Sequence, residues 1–487
     1  MSEKIHFNGY IPARFQRISW SIARFGDSVM GNVLSFFIIL YYLEEVLTLP
    51  SNFDVLLVTI ITFSGKFSEG LMNVPVARLS DNIRTRWGRR RPFLLLSPIW
   101  SLFFILVFSC PFTEDQVSLI LLWLLITYGG FRWCNAAIIN PHLALLPEIA
   151  PEKDQRTDYQ AYKTVFQLSG TIIGVLIFPI LRNIIASFGV TGRPTAVIAT
   201  LPLGLIAFLG MMITFFGVRE NENAILTHFG MIESFKATFR NKTYFPSYLA
   251  TAAAVMLAEA MLLAAIPMIG VDAIGLQSDD IMVSLLSGLF VITAIAVVPF
   301  IVYFSKRVGK ARLFYYCFLF FGIFSWLTLL IGQIPFLTPV NTVQFIPVEG
   351  GYELVTSPDW QNFVIIQTLL TVFVVGIPVG GVLLLQYSVF ADVIDVDEEL
   401  TGQRRESMYF ASQGVVDWFF AACGDLILGV LLFLFGREYS SPTLETEAGI
   451  LGTGPLGLLL TGPVAGTILI LGALLFRRYP LMEGKKE

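Results

Sequence analysis

The chain reads as an all-α polytopic membrane protein with twelve helices in two six-helix bundles. Three observations predict this: an apolar composition, apolar runs of membrane length, and basic residues confined to alternate loops. Of the 487 residues, 55% are hydrophobic and 14% charged, and the mean hydropathy is +0.71. A soluble domain usually carries about 25% charged residues and needs them to cover its surface. The 43 phenylalanines and 40 glycines suit lipid-facing surfaces and close helix packing. Cys110, Cys134, Cys317 and Cys423 lie in or near apolar runs without metal-ligand spacing, so they read as packing residues rather than disulfides or a zinc site. The net charge of -4 resides in loops and gives no nucleic-acid footprint. Residues 1–17 are polar and mixed, and the apolar stretch that follows is longer than a signal-peptide h-region. The first helix is therefore expected to remain as a span.

A bilayer core needs roughly 20 residues of helix. Runs of that length or more fall at 20–47, 54–79, 92–111, 117–147, 160–184 and 193–216. After a polar stretch, 217–245, they resume at 246–271, 279–304, 311–333, 361–390, 407–436 and 455–477. These bounds predict an N-terminal bundle over 1–216, a linker over 217–245, and a C-terminal bundle with its tail over 246–487. Arginine and lysine cluster in 80–93, 217–245, 305–312, Arg404–Arg405 and the tail from Arg477. With twelve spans all these segments share one side, which the positive-inside rule makes cytoplasmic together with both termini. A basic tight loop follows the second helix, "SDNIRTRWGRRR", and another follows the eighth, "SKRVGKAR". That echo points to a duplicated six-helix unit, the layout of carriers that rock about a central site.

Charges within spans are the natural place to seek function, since each costs roughly 2.5–3.5 kcal/mol on insertion scales. Arg24 and Asp27 stand three apart on the first helix, and Lys66, Glu69 and Asn73 share a face of the second at spacings of three and four. An all-oxygen pocket at Glu69 and Asn73 suits a sodium ion, and a buried Glu69 suits a proton. Lys66 is placed to neutralise Glu69 when no cation is there. Glu259 sits alone in an apolar run of helix seven, and Asp417 and Trp418 lie in helix eleven. In helix four, "FRWCNAAIINPH" offers Arg132, Trp133, Asn135, Asn140 and His142, and Lys163 opens helix five. A solute seat is expected from Asp27, Arg24, Trp133, Asn140, Lys163, Glu259, Asp417 and Trp418. Each also has a structural reading as a paired buried group or a snorkelling side chain. A second set belongs at the cytoplasmic ends: Asp81, Arg86, Arg90, Glu148, Arg156, and Asp392 and Asp395 against Arg404 and Arg405. Such charge networks can close one side in one state and release it in another.

"RWGRRRPF", "NPHLALLPEIAPEKDQRT" and "ADVIDVDEELTGQRRES" together resemble the glycoside–pentoside–hexuronide cation symporter family, the melibiose permease branch of the major facilitator superfamily. The resemblance covers nearly the whole chain. It implies the twelve-helix major facilitator fold and a coupling site on helix two, where the family's two acids match Glu69 and Asn73. Asp27 matches the helix-one acid that receives sugar hydroxyls. The helix-four acid falls at Ile139 beside Asn140, the helix-five arginine at Thr164 beside Lys163, and the helix-eleven lysine at Trp418 beside Asp417. The sugar site is thus altered.

The resulting expectation is cation-coupled symport of a sugar or glycoside by alternating access. The coupling ion is H+ or Na+, no cofactor is needed, and one chain suffices in a prokaryotic cytoplasmic membrane. The alternatives are a non-sugar solute such as a lysolipid or organic acid, and a transporter-like sensor. No Walker motif, metal-binding histidine cluster or nucleophile–base pair is present in the sequence, so an enzyme is not expected. Glu69→Gln is expected to abolish uphill uptake while leaving folding largely intact; gradient-driven accumulation by that variant at the normal level would remove Glu69 from coupling.

Overall fold

The computed structural model describes residues 13–47, 51–83, 85–150, 153–220, 249–274, 276, 281–331, 343–348, 351–356, 358–401, 406–436 and 456–479. Twelve helices among them are long and apolar enough to cross a membrane. The first six are α1 (Arg14–Val46), α2 (Phe53–Ser80), α3 (Arg91–Phe108), α4 (Val117–Ala144), α5 (Asp158–Ser187) and α6 (Arg193–Gly217). The second six are α7 (Leu249–Ala273), α8 (Ile281–Val308), α9 (Lys310–Leu330), α10 (Asn362–Ile394), α11 (Gln413–Phe435) and α12 (Leu456–Phe476). Between α9 and α10, β1 (Val343–Val348) and β2 (Gly351–Thr356) pair as an antiparallel hairpin. It is a small departure from an all-α chain. Its β-branched and aromatic residues flank a Glu-Gly pair, which is hairpin chemistry in a segment read from sequence only as a loop.

Local signals set the helix ends. Ser51 and Asp54 form a reciprocal capping box at the start of α2, with Ser51 N–H donating to Asp54 Oδ2 at 3.0 Å and Asp54 N–H to Ser51 Oγ at 3.2 Å. α1 and α7, which hold the same place in each set of six, both end in a π turn, Tyr42–Val46 and Ile269–Ala273. The Tyr41 and Tyr42 hydroxyls donate to the Phe108 and Val107 carbonyls at 2.5 and 2.8 Å, stapling α1 to α3. Before α3, the backbone N–H groups of Arg89, Arg90 and Arg91 converge on the Glu220 carboxylate at 2.6–2.8 Å. This is an anion nest, and Gly88 at φ +110° makes it possible, since a Cβ there would press on Glu220. The start of the 217–245 linker is thereby pinned to the Arg-rich loop.

Helices approach closely where glycine removes the side chain. Gly170 and Gly174 of α5 form a small-xxx-small pair against α1. A Cβ at Gly170 would overlap the Phe25 carbonyl, and one at Gly174 would lie 2.6 Å from the Val29 carbonyl oxygen. The two sets of six meet through α2 with α11, α5 with α8, and α1 with α7. Named contacts of this seam are Gly429 against Thr59 and Gly288 against Leu176. Both lie toward the helix ends remote from the Arg89–Arg91 loop. One continuous apolar core runs through both sets.

Gly174→Leu is expected to lower thermal stability in detergent by about 1–3 kcal/mol, the usual cost of overpacking. Gly31→Ala, which meets nothing within 4 Å, should leave it unchanged or raised. Equal melting temperatures for the two variants would contradict the close α1–α5 approach.

Candidate functional site

Lys66 and Glu69 of α2 do not face lipid; they are turned into the seam between α2, α4 and α11. Lys66, Glu69 and Asn73 follow one helical stripe, as their spacing requires. Lys66 donates from Nζ to Asp425 Oδ1 of α11 at 2.7 Å, with both groups buried. It was expected to pair with Glu69. The structure corrects this, because Arg132 of α4 takes that place, donating from Nη1 to Glu69 Oε2 at 3.2 Å. The other carboxylate oxygen, Oε1, accepts from Asn135 Nδ2 at 2.6 Å. Glu69 and Arg132 are each only 2% exposed. The second Arg132 nitrogen donates to the Tyr128 hydroxyl at 2.6 Å. Its guanidinium lies 4.8 Å from the Tyr128 ring centroid and 5.3 Å from that of Trp418. Asn140 Nδ2 donates to Asn73 Oδ1 at 2.6 Å.

Tyr128, Arg132 and Asn135 fall on one face of α4 because they are spaced by four and three. Trp133, expected in the solute seat, falls on another. It is 52% exposed and in line with Leu119, Leu122 and Ile126, which are also exposed, and its Nε1 donates to Ser68 Oγ at 3.0 Å. Trp418 by contrast sits at the seam, its Cβ 3.2 Å from where a side chain on Gly70 would begin. Its neighbour Asp417 is half-buried on α11.

A second polar group lies on α1 and α5. Arg24 pairs with Asp27 at 2.5 Å, with both side chains partly open. Asp27 is also within electrostatic reach of Arg132, and Lys163 within reach of Arg24. Lys163 is half-buried and has no hydrogen bond or ion pair among the described residues. Glu259 of α7 is likewise half-buried and unpartnered there, within reach of the Lys66 charge. His142 is fully buried, stacked on Trp20 at 5.0 Å, with no partner on either ring nitrogen. It is packed in a small apolar cluster with Tyr159 and Leu145 rather than set in the polar seam.

Of the residues expected to gate, Asp392 faces Lys310 at 3.6 Å, Arg90 donates to the Ala144 carbonyl, and Arg86 lies over the Trp87 ring at 4.4 Å. The side chains of Asp81, Glu148, Arg156 and Asp395, and Arg404 and Arg405 entirely, lie outside the described residues. Asp425 was missed in the sequence reading. Its signal was present as an acid inside an apolar helix, eight residues after Asp417. The four cysteines are free. Among the described residues no group of three or more His, Cys, Asp or Glu is arranged to hold a metal ion.

Twelve spans meeting at a charged, protein-enclosed seam define a membrane transporter of the major facilitator fold. The chain belongs to the MFS/sugar transport protein family, whose profile matches residues 19–483. It is 26% identical to an uncharacterized symporter of Synechocystis sp. over 40% of this chain and 33% of that protein. It is 23% identical to an isoprimeverose transporter of Lactiplantibacillus pentosus over 42% of this chain and 41% of that one. The matches to these two thus span well under half of either relative's length. A sodium-dependent lysophosphatidylcholine symporter of Danio rerio is 23% identical over 97% of this chain and 87% of its own. Among solved structures, the nucleoside transporter NupG superposes with a TM-score of 0.60 at 11% identity, covering 95% of this chain and 98% of its own. A proton-dependent oligopeptide transporter does so at 0.62 and 11%, covering 97% and 99%. These likenesses establish the fold.

Removing one partner of a buried ion pair strands the other, at a cost of about 3–5 kcal/mol. The buried pair changes that expectation: Glu69→Gln should lower the melting temperature as well as transport, rather than leave folding largely intact. Glu69→Gln combined with Arg132→Gln should recover much of that loss. A double variant that melts below both single ones would show that the pair is not the source of the penalty.

Proposed function

We propose that this chain is a secondary transporter that moves a sugar or glycoside together with a cation by alternating access. The observation that carries the reading is the set of polar side chains left partly open where the two sets of helices face each other. Asp27 with Arg24, Lys163, Glu259 and Asp417 are half-buried inside spans, where an unused charge is costly. A carboxylate beside a guanidinium offers acceptors and donors together, which suits vicinal hydroxyls. The family's description as sugar transport proteins and the isoprimeverose transporter among the relatives support that substrate class. Glu69 is the coupling residue in this reading, and the cation and solute favour the same state of the carrier. The two halves, 1–216 and 246–487, rock about the α2–α11 seam, the charged ends near Asp81, Glu148, Arg156 and Asp395 gate one side, and a single chain completes the pathway. Both termini face the cytoplasm of a prokaryotic cell.

A lysolipid is the second reading, favoured by the one full-length relative described above, the lysophosphatidylcholine symporter. Arg24 and Lys163, the latter without an ion pair among the described residues, would then receive a phosphate.

Uptake of labelled mono- and disaccharides into proteoliposomes, under separate sodium and proton gradients, tests the proposal. Saturable uphill accumulation of a sugar is expected, and Asp27→Asn should weaken solute binding. Uptake of lysophospholipid but no sugar by folded protein would replace the first reading with the second, and an unchanged binding isotherm would remove Asp27 from the seat.

A further inference from the structure

The Glu69 seam has an unusual charge balance for a place where a coupling metal ion is expected. Two acids, Glu69 and Asp425, face two bases, Arg132 and Lys66, so the buried group is already neutral. A sodium ion is a hard cation and needs several oxygen lone pairs turned toward it, as calcium and magnesium do. The Glu69 carboxylate instead meets nitrogen donors on both oxygens, from Arg132 and from Asn135. The Asn73 oxygen is likewise engaged, accepting from Asn140. The residues present therefore do not fit a metal ion between Glu69 and Asn73.

We propose that Arg132 is a tethered replacement for the coupling metal ion, so that the site around Glu69 takes no sodium in this protein. The guanidinium fills the position of a ligand ion and travels with α4. Its own contacts fix it there: the Tyr128 hydroxyl at 2.6 Å and the Trp418 ring at 5.3 Å. The same geometry says what its removal does. Asn135 Oδ1 is a buried oxygen without a hydrogen-bond partner beside the carboxylate. With the Arg132 side chain gone, Glu69, Asn135 Oδ1 and the Tyr128 hydroxyl are left as oxygens around the vacated volume. That is an acceptor set for a small cation. Arg132→Ala is therefore a gain-of-sodium variant, whereas the native chain is indifferent to sodium.

This inference rests on the symport reading only in placing the coupling residue at Glu69, and it removes sodium from the ions that reading allows. It is tested without any solute, so its failure is distinct from failure of the sugar assignment. The purified full-length protein is melted in detergent across a NaCl series, with choline chloride holding ionic strength constant. A ligand that binds only the folded state raises stability saturably. No saturable sodium shift is expected for the native chain. A saturable upward shift specific to sodium is expected for Arg132→Ala, and it should vanish in Arg132→Ala with Glu69→Gln. A sodium-specific shift in the native chain that is lost in Glu69→Gln would overturn the proposal. So would a folded Arg132→Ala protein indifferent to sodium. If Arg132→Ala does not fold, Arg132→Gln takes its place, and the native titration decides against the proposal by itself if a shift appears.

Discussion

The ion pair between Glu69 and Arg132 is the constraint on which the rest of the seam depends. A lone carboxylate at 2% exposure inside a membrane span is too costly to persist. Its partner comes from a neighbouring helix: the face of α4 that carries Tyr128, Arg132 and Asn135 supplies both a guanidinium and an amide donor. That fixes the rotation of α4 against α2. Once Arg132 has been drawn to Glu69, Lys66 is left without its nearest acid in sequence. Asp425 then becomes necessary, and the bond at 2.7 Å joins the first set of helices to the second. Trp418, one helical face along on α11, covers the guanidinium from the same side. The register of three helices thus follows from neutralising two charges.

Small residues decide how near the helices can come, and hence whether those bonds can form at all. Gly70 lets the Trp418 side chain approach α2, and Gly429 lets Thr59 close the seam further along. Between these two points sits the Lys66–Asp425 bond. Contact on the remote side and polar pairing in the middle are consequently one continuous strip. In a rocking motion such a strip acts as a pivot, because its middle need move least while its ends open or shut.

The spans could be located from the sequence because a bilayer imposes length and apolarity on each segment independently of all others. For the same reason the sequence marks Glu69, Asp27 and Glu259 as unusual residues. Partnership is another matter. Lys66 and Glu69 are three apart, and local spacing favours their pairing, but Lys66 bonds to a residue 359 positions away. Nothing local to α2 encodes that choice; it depends on how α11 packs. Trp133 shows the opposite error. Its exposure was legible, since it continues the row of Leu119, Leu122 and Ile126, but its place beside Arg132 in sequence suggested a shared site. Adjacent residues on a helix are turned by about 100° from one another, and that rotation separates the two. The Glu220 nest could not be read at all, because three backbone N–H groups leave no mark in side-chain identity.

A built-in counter-ion also alters what the carrier must do in each cycle. A mobile metal ion has to shed its water on entry and regain it on exit, and its binding to one state better than another is what links its gradient to the solute. A guanidinium on α4 is desolvated once, when the chain folds, and its hydrogen bonds to Glu69 and Tyr128 can persist as the helices tilt together. The seam is neutral without a metal ion to permit reorientation. With a metal ion excluded, the gradient link that the symport reading places at Glu69 is left to a proton on its carboxylate. Lys163 and Glu259, half-buried in their spans and without a hydrogen bond or ion pair among the described residues, belong to the proposed solute seat instead.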